Sequence, residues 1–397
     1  MSPDSSESSL PTLTEPRLGY RLVDSAETLD ELIAQSSTAP EVAIDAERAS
    51  GFRYGNSAYL VQVGIENVGN FLVDPVALAE VSNWQTRLAQ TLNRPRWILH
   101  AATQDLPCLA EISLIPGNLF DTELAARLSS VKRFGLASLS EELLGLKIAK
   151  EHSAADWSQR PLSDNMLIYA ALDVEILFAI RDALKSRLEA LGRLSWVDQD
   201  FEHLARFKPK PPAANGWRKM SGSGSLKSLE QQKVASALWK ARDLRAQAMD
   251  VAPGRLIPDA AVVAAAAATP QSRSHLRQLR EFVGREARSQ FDYWWQAIQS
   301  AESEEIAPTS PDQIPPHRVW ERKFPEAWLR YQRLREALQP IVAELNIPPE
   351  NLITPSIVRE IAWQPDDIEA QLSASSARAW QIDIVLPAFS DALRQRN

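Results

Sequence analysis

One cysteine, Cys108, occurs among the 397 residues, so an intrachain disulfide framework and a thiolate metal cluster are both excluded. A reducing, cytoplasmic home fits that scarcity. No apolar run approaches the roughly 20 residues a membrane-spanning helix needs. The best candidate, residues 260–268, is alanine-rich and reads as a short helix. The first 16 residues are Ser-, Pro-, Thr- and Glu-rich, with neither a basic n-region nor an apolar h-region. A disordered tail over 1–16 is expected there, not a signal peptide. Net basic charge is also missing: the chain carries −8. Its distribution reverses that impression, because residues 206–288 hold 16 Lys+Arg against 6 Asp+Glu. A basic middle beside an acidic body suits a polyanion partner, or simply a solvated basic face.

The first two hundred residues alternate strand and helix patterns. Val42–Asp45 is a short apolar run, and Tyr59–Val63 and Asn70–Val73 are two more around a turn. These predict an antiparallel meander. Helices are expected over 76–92 and 104–111, with a strand over 97–100 between them. A strand over 118–120 leads into a helix over 121–128, and a long helix covers about 163–188. This is an α/β layer pattern. Beyond residue 208 only helical patterns remain. Pro253-Gly-Arg-Leu256-Ile257 and Pro349-Glu-Asn-Leu352-Ile353 match in register, which suggests two copies of one helical module. The expected divisions are a tail 1–16, an α/β domain 17–207, a linker 208–225, a helical domain 226–301, a linker 302–317 and a second helical domain 318–397.

Asp45 and Glu47 stand two apart at the end of a buried strand, so both side chains point to one side. Two carboxylates on one face repel, and burial sharpens the conflict. A hard cation such as Mg²⁺ or Mn²⁺ resolves it. Tyr169 and Asp173 stand four apart on a helix, one turn from each other on one face. Asp105 begins a helix after a buried strand.

Ile44-Asp-Ala-Glu47, Leu99-His-Ala-Ala-Thr-Gln-Asp105-Leu-Pro and Tyr169-Ala-Ala-Leu-Asp173 resemble the three motifs of the DEDD exonucleases, tyrosine subtype. Phe134-Gly-Leu-Ala-Ser-Leu-Ser and Trp157-Ser-Gln-Arg-Pro-Leu162 resemble ribonuclease D in particular. The two helical modules resemble HRDC domains, clearly over 238–264 and divergently from about Trp328 onward. The resemblance covers nearly the whole chain beyond Pro16. It implies a ribonuclease H-like fold with a mixed sheet, followed by two all-α HRDC-like domains. It also implies two divalent ions, Mg²⁺ or Mn²⁺, held by Asp45, Glu47, Asp105 and Asp173, with Tyr169 orienting the attacking water. The implied reaction is 3′→5′ exonucleolytic release of nucleoside 5′-monophosphates, with tRNA precursors and other structured RNA as the family's substrates.

Other residues carry two readings. Asp121 reads as a helix N-cap before a metal ligand. His100 reads as a core imidazole, His152 as a loop histidine, and Cys108 as an inert core thiol. Phe52, Arg53 and Tyr54 stack on or clamp a terminal nucleotide, or are ordinary loop residues. Gln62 lies in a strand whose neighbours suggest the apolar face, so it has a sheet role or a role at the site. Trp157, Gln159 and Arg160 either pack beneath the site or contact the substrate backbone. Phe291, Tyr293, Trp294 and Trp295 read as helix core. Lys227, Lys233, Lys240, Arg242 and Arg245 give the first helical module a phosphate-tracking character. The second module lacks that excess, and packing on the catalytic domain to close a ring around the substrate is its alternative role.

The expected function is therefore a 3′→5′ exoribonuclease acting on RNA, with no membrane partner and a monomer favoured. Two alternatives stand beside it: a 3′→5′ DNA exonuclease with the same chemistry, and a nucleic-acid-binding scaffold with an inactive nuclease domain. A helicase-associated role is compatible with HRDC modules, but the chain has no phosphate-binding Gly-x-x-x-x-Gly-Lys loop and is no helicase.

Overall fold

Among the described residues there are eight strands: β1 (Thr12–Leu13), β2 (Tyr20–Val23), β3 (Glu41–Arg48), β4 (Ala58–Ile65), β5 (Gly69–Val73), β6 (Arg96–Leu99), β7 (Leu119–Asp121) and β8 (Lys147–Ile148). Six of them make one mixed sheet in the order β2-β5-β4-β3-β6-β7. The expected meander is its antiparallel centre, β3-β4-β5, and the flanking pairings are parallel. Strand β3 sits inside the sheet because Val42, Ala43 and Ile44 are fully buried on both faces. The computed structural model describes residues 10–148, 155–208, 215–282, 284–306 and 314–394, so His152 lies outside the described residues.

The long helix is Asp164–Ala190, started by Ser163, whose hydroxyl accepts the Met166 amide. It packs over β3, β4 and β5. Gly64 of β4 makes that approach possible: a Cβ there would lie 3.3 Å from both Ala43 and the Phe178 ring on the helix.

Four sequence expectations change. The helix expected over 76–92 is broken into a 3₁₀ turn, Ala77–Glu80, and a helix, Trp84–Leu92. The Asp74 carboxylate accepts the amides of Val76 and Ala77 and fixes the turn, and Asn83 takes a left-handed conformation at the break. Strand β2 and helix Ala26–Ser36 fall in a stretch with no predicted elements. Their signals were a Tyr-Arg-Leu-Val run and a Ser25/Thr28 capping box. The described part of the expected tail is not loose, since Thr12 and Leu13 pair in parallel with Lys147 and Ile148. The expected linker 208–225 is partly core: Trp217 and Met220 are buried in the first helical body. Gly216 allows this, because a Cβ there would stand 2.3 Å from the Trp239 ring.

Beyond residue 208 the described residues hold helices only, in two bodies with separate cores. Each repeats one sequence of elements. A 21-residue helix, Leu229–Met249 or Pro325–Leu345, ends in a left-handed residue, Asp250 or Asn346. A four-residue Pro-led helix follows, Pro253–Leu256 or Pro349–Leu352, and then Asp259–Ala268 or Pro355–Trp363. The Phe291–Gln299 helix supplies Trp294 and Trp295 to the first core, as helical spacing predicted.

The second helical body packs on the α/β domain. Trp196 and Trp380 stack with centroids 4.9 Å apart, and Arg378 pairs with buried Asp200. Burial pushes the Asp200 carboxyl up to about 6 even though the Arg378 charge opposes it. Removing that cation would leave a carboxylate only 2% exposed without a counter-charge. Arg378→Ala is expected to cost about 3 kcal/mol, the range for a broken buried ion pair. A lower thermal unfolding midpoint would show it, and an unchanged midpoint would mean that the contact contributes nothing.

Candidate active site

Three segments far apart in sequence meet on one face of the sheet. Asp45 and Glu47 leave β3 on the same side, and the register places Gln62 opposite Asp45 and Leu60 opposite Glu47. The long helix brings Tyr169 and Asp173 down onto this face. One carboxylate oxygen from each of Asp45, Glu47 and Asp173 lies within 4.8 Å of the others, close enough to share a cation. Asp105 completes the set from the side: its carboxyl hydrogen-bonds that of Asp45. Tyr169 hydrogen-bonds Asp173 one turn away and lies 6.4 Å, ring to ring, from buried Trp157.

Asp105 is held by its surroundings. Asp121 caps the helix Thr122–Leu128 through the Leu124 amide, as the N-cap reading expected. Its carboxylate also accepts the amides of Ala101 (3.3 Å) and Ala102 (2.7 Å), fixing the turn that leads to Asp105. The Cys108 thiol donates to the Asp105 carbonyl, and burial pushes that thiol up to about 12, which leaves it inert. His100 contacts Thr122 at 2.9 Å, and burial lowers it to about 4, so it is a neutral imidazole beside the core.

Two more neighbours stand here: Arg48, which was not singled out in the sequence, and Gln62, which was. Arg48 follows a register shift in β3 after Glu47. That bulge turns its guanidinium to the Gln104 carbonyl (2.6 Å) and the Asp105 carboxylate (3.4 Å). An arginine next to an Asp-x-Glu pair was a legible signal. Gln62 is fully buried, and neither its amide nitrogen nor its oxygen has a partner.

Several side chains for which nucleic-acid contacts are expected have protein partners in this structure. Arg160 makes a bidentate pair with Asp74, both contacts 2.7 Å, and donates to the carbonyls of Tyr59, Trp157 and Gln159. All five of its donors are engaged, so it packs beneath the site. Phe52, Arg53 and Tyr54 meet the first helical body. Arg53 pairs with Asp250 at 3.3 Å, Tyr54 donates to Asp243 at 3.1 Å, and Arg255 covers the Phe52 ring at 4.4 Å. Arg242 is buried against Asp259 and the Ile257 carbonyl. Arg245 donates to Gln290, and Lys240 pairs with Glu304 at 2.8 Å. Exposed arginines of this body lie elsewhere, at Arg273, Arg277, Arg280, Arg285 and Arg288.

Burial and mutual repulsion favour the protonated form of these carboxyls in the ion-free protein. Desolvation first, then neighbouring carboxylates, raise Glu47 to about 9 and Asp105 and Asp173 to about 8, and desolvation also raises Asp45. Desolvation, then Asp173 and Glu47, raises the Tyr169 phenol as well. The unfolded chain releases its carboxyl protons near pH ~4. The folded state thus binds more protons than the unfolded one between that pH and the raised values. Ion-free stability should fall as pH rises through this window. A divalent cation must displace these protons, so its apparent affinity should rise with pH up to about 9. Calorimetry in two buffers of different ionisation enthalpy would detect the released protons. Affinity independent of pH would contradict the assignment.

Residues 20–189 match the family model of a 3′-5′ exonuclease and residues 231–298 that of the HRDC domain. Residues 313–393, expected to be a divergent HRDC-like domain, match a different model, a 3′ to 5′ exonuclease C-terminal domain. The ribonuclease D of Gluconacetobacter diazotrophicus is 31% identical over 269 residues, 65% of this chain and 66% of that protein. That of Shewanella sp. is 30% identical over 274 residues, 68% of this chain and 69% of the relative. A crystal structure of a protein from Bifidobacterium adolescentis superposes with a TM-score of 0.87 at 31% identity, covering 97% of this chain and 100% of that one. Escherichia coli RNase D shares the fold, with a TM-score of 0.71 at 20% identity over 95% of this chain and 99% of that one. The order of exonuclease and HRDC domains, the acidic face of the sheet and these relatives agree: the chain belongs to the ribonuclease D family of 3′→5′ exoribonucleases.

Proposed function

We propose that this chain trims the 3′ ends of structured RNA, tRNA precursors among them, in the cytoplasm, and that Asp45, Glu47, Asp105, Tyr169 and Asp173 perform the chemistry. The observation that carries the reading is the convergence of Asp45, Glu47 and Asp173 to within 4.8 Å, with Asp105 and Tyr169 at their side. The donor set is all oxygen, which suits Mg²⁺ or Mn²⁺, and four carboxylates balance two such ions in charge. Once bound, the ions would supply Lewis-acid stabilisation of the attacking and leaving oxygens.

The side chains divide the remaining work. Asp45, Glu47 and Asp173 hold the cations, and Asp105 extends the set beside Asp45. Tyr169 keeps its proton, because burial and the Asp173 and Glu47 charges raise it above the ordinary phenol value. It therefore acts as a hydrogen-bonding group that orients the attacking water, and not as a base. Arg48 faces the same site at the Asp105 edge, where a cationic side chain suits a phosphate oxygen.

RNA is the favoured polymer on family grounds, and matched oligonucleotides test it. With a divalent cation present, Asp45→Asn is expected to reduce release of nucleoside 5′-monophosphates from RNA at least about 100-fold, within the range of a lost electrostatic group, while RNA binding persists. Faster release from DNA than from RNA would transfer the reading to a DNA exonuclease. Unchanged turnover by Asp45→Asn would end the assignment.

The exposed arginines of the first helical body are the proposed phosphate-tracking surface. Arg277 and Arg280 are two of them. The double variant Arg277→Glu/Arg280→Glu should weaken RNA binding and flatten its dependence on salt by about two phosphate contacts. Equal slopes for variant and parent would place the RNA elsewhere.

A further inference from the structure

Gln62 is fully buried, yet both polar atoms of its amide lack a partner. Such a group destabilises a folded protein, and buried side-chain amides are ordinarily satisfied. An aliphatic side chain of similar length would fill the same place without that cost. The pairing of the strands says what the amide is near. Gln62 stands directly opposite Asp45 in the antiparallel β3–β4 ladder, so the two side chains leave the same face of the sheet as neighbours. Leu72 flanks Gln62 on its other side, so no polar group comes from β5 at that level. The long helix covers this face and lowers Asp173 toward Asp45.

We propose that Gln62 is a positioning residue for the metal-holding carboxylates: its amide N–H donates to Asp45 when Asp45 holds a cation. This deepens the proposed function and rests on Asp45 being a metal ligand. In the ion-free site Asp45 hydrogen-bonds Asp105 instead, which leaves the amide without an acceptor. Asp45 and Asp105 would each help hold a cation, and a carboxylate oxygen of Asp45 not taken up by that cation would be the acceptor for Gln62, its cross-strand neighbour. The donor fixes which oxygen of Asp45 ligates, as partners behind metal ligands commonly do.

Gln62→Met is close in length and volume and removes both polar atoms, and Gln62→Leu removes them with a shorter, branched shape. Both are read by thermal unfolding in chelator and by calorimetric titration with Mn²⁺ at fixed pH. The expected result is an ion-free midpoint equal to or above the parent's and an Mn²⁺ affinity reduced about tenfold, the lower range for lost outer partners of a metal site. Parent affinity in both folded variants overturns the proposal, and so does a lowered ion-free midpoint with affinity intact, which would make Gln62 a plain structural group. Asp45→Asn serves as the control. If it too leaves Mn²⁺ affinity unchanged, the metal-site reading itself fails, and that outcome is distinct from a failure of Gln62 alone.

Discussion

Repulsion between buried carboxylates is the constraint around which this molecule is arranged. Asp45, Glu47 and Asp173 cannot all be ionised at such short separation without a counter-charge, and Arg48 reaches only the Asp105 edge. The fold imposes that crowding. Strand β3 is locked by neighbours on both sides, and the long helix is pressed onto it where Gly64 leaves room. The site is thus built under electrostatic load and relieved by protons or by cations. Apolar packing elsewhere supplies the stability that the load consumes. Trp157 and Leu60 are fully buried beneath the tyrosine and glutamate positions and hold the sheet and helix together.

Much of this was legible in the sequence. Period-two spacing placed Asp45 and Glu47 on one face, and a four-residue helical step did the same for Tyr169 and Asp173. The family resemblance joined them to Asp105, which no local pattern could do, because the contact depends on the Asp121 carboxylate fixing the turn before it. Side chains whose partners lie far along the chain were the least legible. Arg160 and Arg242 looked like phosphate ligands by residue type, yet each is consumed by a distant carboxylate, Asp74 or Asp259. Gln62 showed only an apolar strand around it, and nothing local says that its amide goes unanswered. The break at Asn83 and the early packing of Trp217 were missed for a related reason, since turn capping and tertiary contact override helix and linker composition.

The first helical body is anchored close to the chemistry. The segment that receives it, Gly51–Tyr54, begins only a few residues after Glu47, with Arg255 donating to the Gly51 carbonyl and the Ala252 amide to that of Phe52. Position and orientation of the helical body are therefore referenced to the strand that carries the carboxylates, not to a remote surface.

The repeated corner in the two helical bodies has a further meaning. At the left-handed end of one long helix, Asp250 takes Arg53 and the Tyr54 amide; at the matching end of the other, the Leu345 carbonyl takes Arg193 and Asn346 reaches the Ser130 carbonyl. The same geometric plug thus fits two unlike sockets on one domain. A shared corner need not mean a shared address: a handful of side chains around the same bend are enough to send each body to its own berth.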